Sequence, residues 1–167
     1  MSFAAACTLA ALAACSPPSV PSGNATSAQS TPSASAAPQG SPCDRGLVTK
    51  ADAAALLGEP ATTMKPLEGL PTACRFETAS FSGMTVRVAS SGGQASVSAA
   101  ASPQMPVPYA AVHGVGDRAE WQAETHALIA AKGDELCTIT VDGPPGATAG
   151  ATSDKVGELC NRIFAAG

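Results

Sequence analysis

Six thiols and two imidazoles are the side chains of this chain most able to do chemistry: Cys7, Cys15, Cys43, Cys74, Cys137, Cys160, His113 and His126. A cysteine can serve as nucleophile, metal ligand or half of a disulfide, and its context decides which. Zinc sites usually hold two cysteines separated by roughly two to four residues. From Cys43 onward the closest pair is Cys137 and Cys160, so no metal is expected. There is no C-x-x-C, which removes the dithiol redox motif. A hydrolytic site could combine His113 with Asp117 and one of many serines. Neither a G-x-S-x-G elbow nor an S-x-x-K motif accompanies them. Such a site would need a pocket lined by both residues, with a Ser or a water-activating acid in reach.

Weaker signals have ordinary explanations. Gly114-Val115-Gly116-Asp117 matches half of a dinucleotide fingerprint, but it leads into a strand instead of following one and opening a helix. We read it as a turn. Ser90-Ser91-Gly92-Gly93 could cradle a phosphate ahead of a helix, yet no Lys or Arg lies within it or in the helix that follows. Asp117, Glu120 and Glu124 contain a carboxylate pair of the kind used on glycosides, but alternation puts Glu120 and Glu124 together on a solvent face. Trp121 and Tyr109, the only Trp and Tyr, are too few for a sugar platform, and Trp121 reads as core. Thirteen acids against nine bases, a net charge of −4, leave no basic cluster for nucleic acid.

The charge distribution divides the chain. No charged side chain precedes Asp44. Phe3 to Ala14 is a mostly apolar run, too short for a bilayer-spanning helix, which takes about 20 residues, but suited to a signal-peptide core. It ends in Leu12-Ala13-Ala14-Cys15. This resembles the lipobox of bacterial lipoproteins, and the resemblance covers the first fifteen residues. It implies cleavage after residue 14 and a diacylglyceryl group on the Cys15 sulfur, with a further acyl chain on the new amino terminus. Each buried methylene contributes about 0.8 kcal/mol, and stable anchoring takes two or more lipid signals. Met1-Ser2 lacks the usual Lys or Arg, the one departure from the pattern. The resemblance implies a cell-envelope location. Ser16 is not the Asp that favours inner-membrane retention, so the site is the outer membrane in a two-membrane host and otherwise the outer face of the cell membrane.

Ser16 to Pro42 contains eight Ser, six Pro and five Ala in 27 residues, with Val20 its only sizeable apolar side chain. Such a segment cannot bury enough surface to offset its ordering entropy, and residues 15–42 are expected to be a lipidated cysteine on a disordered tether. A coil of this length spans roughly 30 Å, and ~90 Å when fully extended. Residues 43–167 form the folded part, long enough for one core.

Thr49 and Asp52 make a capping box for a helix whose apolar side is Ala53, Leu56 and Leu57, stopped by Gly58 and Pro60. Strands are expected over Ala61 to Leu67, around Cys74 to Glu77 and over Met84 to Val88, with a turn at Glu68 to Pro71 between the first two. A short helix follows over Gln94 to Ala101. Pro103, Pro106 and Pro108 mark a loop. Alternation returns from Ala119 to Glu124, Ala127 to Ala131 is a further strand, and Lys132 to Glu135 is a hairpin turn into Leu136 to Val141. Val156, Leu159, Cys160 and Ile163 recur at helical spacing in a last helix over Ala151 to Phe164. The order predicts an α+β domain: an antiparallel sheet of about six strands with helices packed on one face.

With Cys7 in the cleaved segment and Cys15 lipidated, four cysteines remain, and an exported domain oxidises them to two disulfides. Cys137 shares a strand face with Ile139 and Val141, and Cys160 lies on the apolar stripe of the last helix. Both face one core and should pair, leaving Cys43 with Cys74. The helix Leu47 to Gly58, Cys74-Arg75-Phe76, Gly114 to Ala119 and Lys132-Gly133-Asp134 resemble small extracytoplasmic bacterial lipoproteins of uncharacterised function. That resemblance implies a shared fold and adds no catalytic residue. The expectation is a non-enzymatic envelope module without cofactor, binding a ligand or partner, with a hydrolase near His113 and Asp117 or a structural assembly factor as rivals.

Overall fold

A computed structural model describes residues 40–167; the apolar segment, Cys15 and most of the tether lie outside the described residues. The elements run α1 (Lys50–Leu57), β1 (Ala61–Leu67), β2 (Leu70–Thr78), β3 (Gly83–Ala89), α2 (Gly93–Ala100), β4 (Ala110–Val112), β5 (Arg118–Gln122), β6 (Ala127–Lys132), β7 (Glu135–Asp142) and α3 (Ser153–Ala166). All strands join one antiparallel sheet in the order β1-β2-β3-β7-β6-β5-β4. The fold is α+β, with seven strands instead of about six. The extra one, β4, has three residues beyond the prolines, too few to show any alternation, and pairs with Ala119 to Trp121 at the sheet edge.

Local signals set the helices. In α1 the Thr49 hydroxyl accepts from the Asp52 N–H, the Asp52 carboxylate accepts from the Thr49 N–H, and Gly58 ends the helix with a φ of +74°. α3 starts at a Thr152 cap and buries Val156, Leu159, Cys160, Ile163 and Phe164. Each such apolar side chain contributes about 1.5–3 kcal/mol on burial. These two helices cover one sheet face, where Cys74, Phe76, Met84, Val86, Leu128, Cys137, Ile139 and Val141 form the main core. Both disulfides sit in it, Cys43–Cys74 and Cys137–Cys160, with Cα separations of 5.6 and 5.8 Å. Both pairs are the ones that alternation along the elements predicts. Residues just ahead of Cys43 also belong to the fold. Ser41 is buried and its hydroxyl donates to Asp44, and the Pro42 carbonyl accepts from the Leu47 N–H.

The expectation that all helices share one face is corrected. α2 packs on β5, β6 and β7 from the side opposite α1 and α3. Arg118 donates to Ser98 of α2 at 3.2 Å and lies in one cross-strand row with Ala131 and Leu136. Those two are buried outside the main core, as are Val97 and Ala100 of α2. β6 carries small or apolar residues on both faces, so both needed covering.

Candidate functional site

The two-residue turn between β6 and β7 holds together the motifs that resembled chemistry. Gly133 at φ +59° and Asp134 reverse the chain. The Gly133 N–H donates to the Asp117 carboxylate at 2.6 Å, and the Gly133 carbonyl accepts from Gln94 at 3.0 Å. Asp134 accepts from the Gly92 N–H with its side chain and from the Gly93 N–H with its carbonyl. The amides that could have cradled a phosphate at the start of α2 are thus occupied by Asp134. A Cβ at Gly93 would collide with the Glu135 carbonyl, which is why glycine stands there.

Gly114 to Asp117 is a latch between sheet and helix. Asn161 of α3 donates to the Gly114 carbonyl at 2.7 Å and accepts from the Gly116 N–H at 3.0 Å. Between these bonds Val115, only 5% exposed, enters a slot against Gly157. Gly116 has a φ of +54° and sits against the Ala131 carbonyl. The reading of this motif as a turn stands. Asp117 is a fastener for the next turn, and His113 is exposed in the loop.

The other flagged residues separate. Glu120 is buried at 5%, 3.4 Å from Arg118, while Glu124 is exposed in the turn after β5. They share no solvent face, because α2 and the loop that follows it cover β5; Gln122 there donates to the Val107 carbonyl. Trp121 is half-buried against the core, and His126, at φ +46°, meets it edge-on with centroids 6.1 Å apart.

A groove of about 350 Å³ lies between α1 and α3. Ala55, Leu56 and Leu159 form its apolar part, and Asp52, Lys155, Glu158 and Arg162 its charged rim. Arg162 donates to Asp52 at 2.6 Å. Burial pushes the Asp52 carboxyl up, but hydrogen bonds from Arg162 and Thr49 outweigh it and hold the group below the usual carboxylate range. Neither His113 nor Asp117 lines this groove. On the open half of the opposite sheet face, Arg75 makes a two-pronged pair with Asp142 at 2.6 and 2.8 Å. Its guanidinium lies over Gly83, where any Cβ would strike it. Among the described residues no three His, Cys, Asp or Glu side chains converge as metal ligands do, and no helix is long and apolar enough to cross a membrane.

The groove escaped sequence reasoning. Asp52 was legible as a cap, but its second partner is 110 residues away, and nothing in the spacing of α3 singles out Arg162. No family model, curated protein or solved structure matches the chain.

Proposed function

We propose that this is a lipid-anchored envelope lipoprotein whose folded part is a non-enzymatic interaction or ligand-binding module. The observation that carries the reading is Leu12-Ala13-Ala14-Cys15 behind an apolar run, followed by a tether-like segment. Four cysteines paired within the core suit a chain that folds outside the reducing cytosol. Asp117 and the amides of Gly92 and Gly93 are engaged in fastening turns, which supports this reading over a phosphate cradle or a hydrolytic site built on them.

Labelling cells with a radioactive fatty acid tests the anchor. The wild-type chain takes up label and sediments with membranes, and Cys15→Ala does neither. An unlabelled wild type, or a Cys15→Ala chain that still labels, overturns the proposal.

A further inference from the structure

The turn between β2 and β3 carries the most exposed large apolar side chain among the described residues. Phe81 is 89% exposed, against 47% for Leu70 and 40% for Met64. Its backbone is left-handed, with a φ of +64°, which a bulky residue adopts only under constraint. The constraint is visible. The Thr78 N–H donates to the Ser82 carbonyl at 3.0 Å, and the Ser82 N–H donates to the Thr78 hydroxyl at 3.1 Å. Ser80 donates to the Glu59 carboxylate, and Ser82 is fully buried. A glycine at position 81 would suit this turn with neither strain nor an apolar ring in water.

The position of the ring is equally defined. β3 and β7 pair from Gly83–Asp142 at one end to Ala89–Leu136 at the other, a span of about 20 Å. Phe81 lies just beyond the Gly83 end. At the opposite end Lys132 donates to the Phe164 carbonyl, Gly167 lies close to Glu135 and Arg45, and Gly40 lies close to Arg45. Gly40, the first described residue, therefore lies at the end of the sheet remote from Phe81. The turn engages a carboxylate: Ser80, the residue before Phe81, donates to Glu59, and hydrogen bonds from Ser80 and Thr78 hold that carboxyl below its usual range. The two acids flanking Gly83 in the sheet, Glu77 and Asp142, are already paired with Lys65 and Arg75.

We infer that Phe81 is the docking anchor for another envelope protein, one that receives the ring in an apolar pocket bordered by a Lys or Arg facing Glu59. The inference rests on the interaction-module reading above. Aromatic side chains seated in pockets dominate binding at protein interfaces, and a fixed turn presents the ring without an ordering cost on association.

Photo-crosslinking in cells tests it, with the full lipidated chain carrying benzoylphenylalanine in place of Phe81, of Arg87 on the open sheet face, or of Glu158 in the α1–α3 groove. The expected result is an adduct from position 81 that disappears when Glu59→Lys is added. The captured protein, once identified and purified, binds the wild-type chain and loses at least about tenfold in affinity toward Phe81→Gly. Phe81→Gly keeps the turn, so its unfolding midpoint stays level or rises while binding falls. Adducts from Arg87 or Glu158 but not from position 81 overturn this surface and leave the interaction-module reading standing. Adducts from none of the three overturn the inference, while the anchored-module reading stands or falls with the Cys15 labelling. An adduct with lipid or with a second copy of this chain overturns the inference, as does a captured protein that binds Phe81→Gly as tightly as wild type.

Discussion

Gly157→Ala is expected to destabilise the protein even though alanine is the better helix former. In an exposed helix interior the exchange gains about 1 kcal/mol. Here the new Cβ would lie 2.5 Å from Cγ2 of Val115, inside the van der Waals contact distance. Val115 is buried, stiff at χ1 and pinned on both sides by the two Asn161 hydrogen bonds. Overpacking of this kind costs about 1–3 kcal/mol, so the net effect is a loss of about 1 kcal/mol, or about 4 °C in Tm for a domain of this size. The partner change Val115→Ala removes two buried methyl groups and costs about 2 kcal/mol by itself. In that background the slot is empty and Gly157→Ala gains about 1 kcal/mol. The sign therefore reverses between backgrounds, with a coupling of about 2 kcal/mol. Urea titration of the oxidised chain, followed by the fluorescence of Trp121, measures all four corners of the cycle. A wild-type chain stabilised by Gly157→Ala would falsify the latch geometry.

Further outcomes follow from other contacts. Asp52→Asn is expected to cost about 1 kcal/mol at neutral pH, since it weakens both the cap and the Arg162 pair. The folded Asp52 carboxyl titrates below its ordinary value of 3.8, so its contribution is complete above that value and fades as pH falls through the folded pKa. Wild type and variant should converge as the pH falls through the folded pKa, and a gap as wide in strong acid as at neutrality counts against the assignment. Removing Cys137 and Cys160 together should lower stability by about 3.4 kcal/mol, and removing Cys43 and Cys74 by about 3.7 kcal/mol, from loop separations of 23 and 31 residues. Guanidinium titrations of the two double-serine variants measure this, and equal stability to wild type would remove the entropic argument. Gly83→Ala should displace the Arg75 guanidinium from Asp142 for about 0.5–1 kcal/mol, because the pair is partly exposed. A crystal structure of the variant with the Arg75–Asp142 pair intact would refute the reason given for that glycine.

What could be read from the residues alone was local. Thr49, Asp52 and Gly58 lie within one short helix, so cap, box and stop are adjacent in sequence and determine it without help from the rest of the chain. The disulfides were legible because alternation along β7 and the stripe on α3 each assign a cysteine to a face. Failures came where a face had to be matched to a distant cover. Alternation shows that Glu120 opposes Trp121, but not that α2 and Val107 close over that side. An apolar edge on α2 says that it packs, not against which side of the sheet. The groove depends on Arg162 reaching Asp52 across 110 residues, a contact that no periodicity encodes. Asn161 was silent for the same reason: its partners Gly114 and Gly116 are 47 and 45 residues away.

The strand order divides the sheet between β3 and β7 into two meanders, and each disulfide stays within its own half: Cys43–Cys74 before α2, Cys137–Cys160 after β4. Among the described residues no disulfide crosses that boundary. The proline-rich stretch from Ser102 to Tyr109 is thus the main-chain strand joining two separately stapled fragments. A protease cut there would leave a nicked molecule held by one central ladder and its flanking helices, separable by denaturant without any reductant. The same boundary marks where new chain termini could be opened, or the two pieces made apart and reassembled.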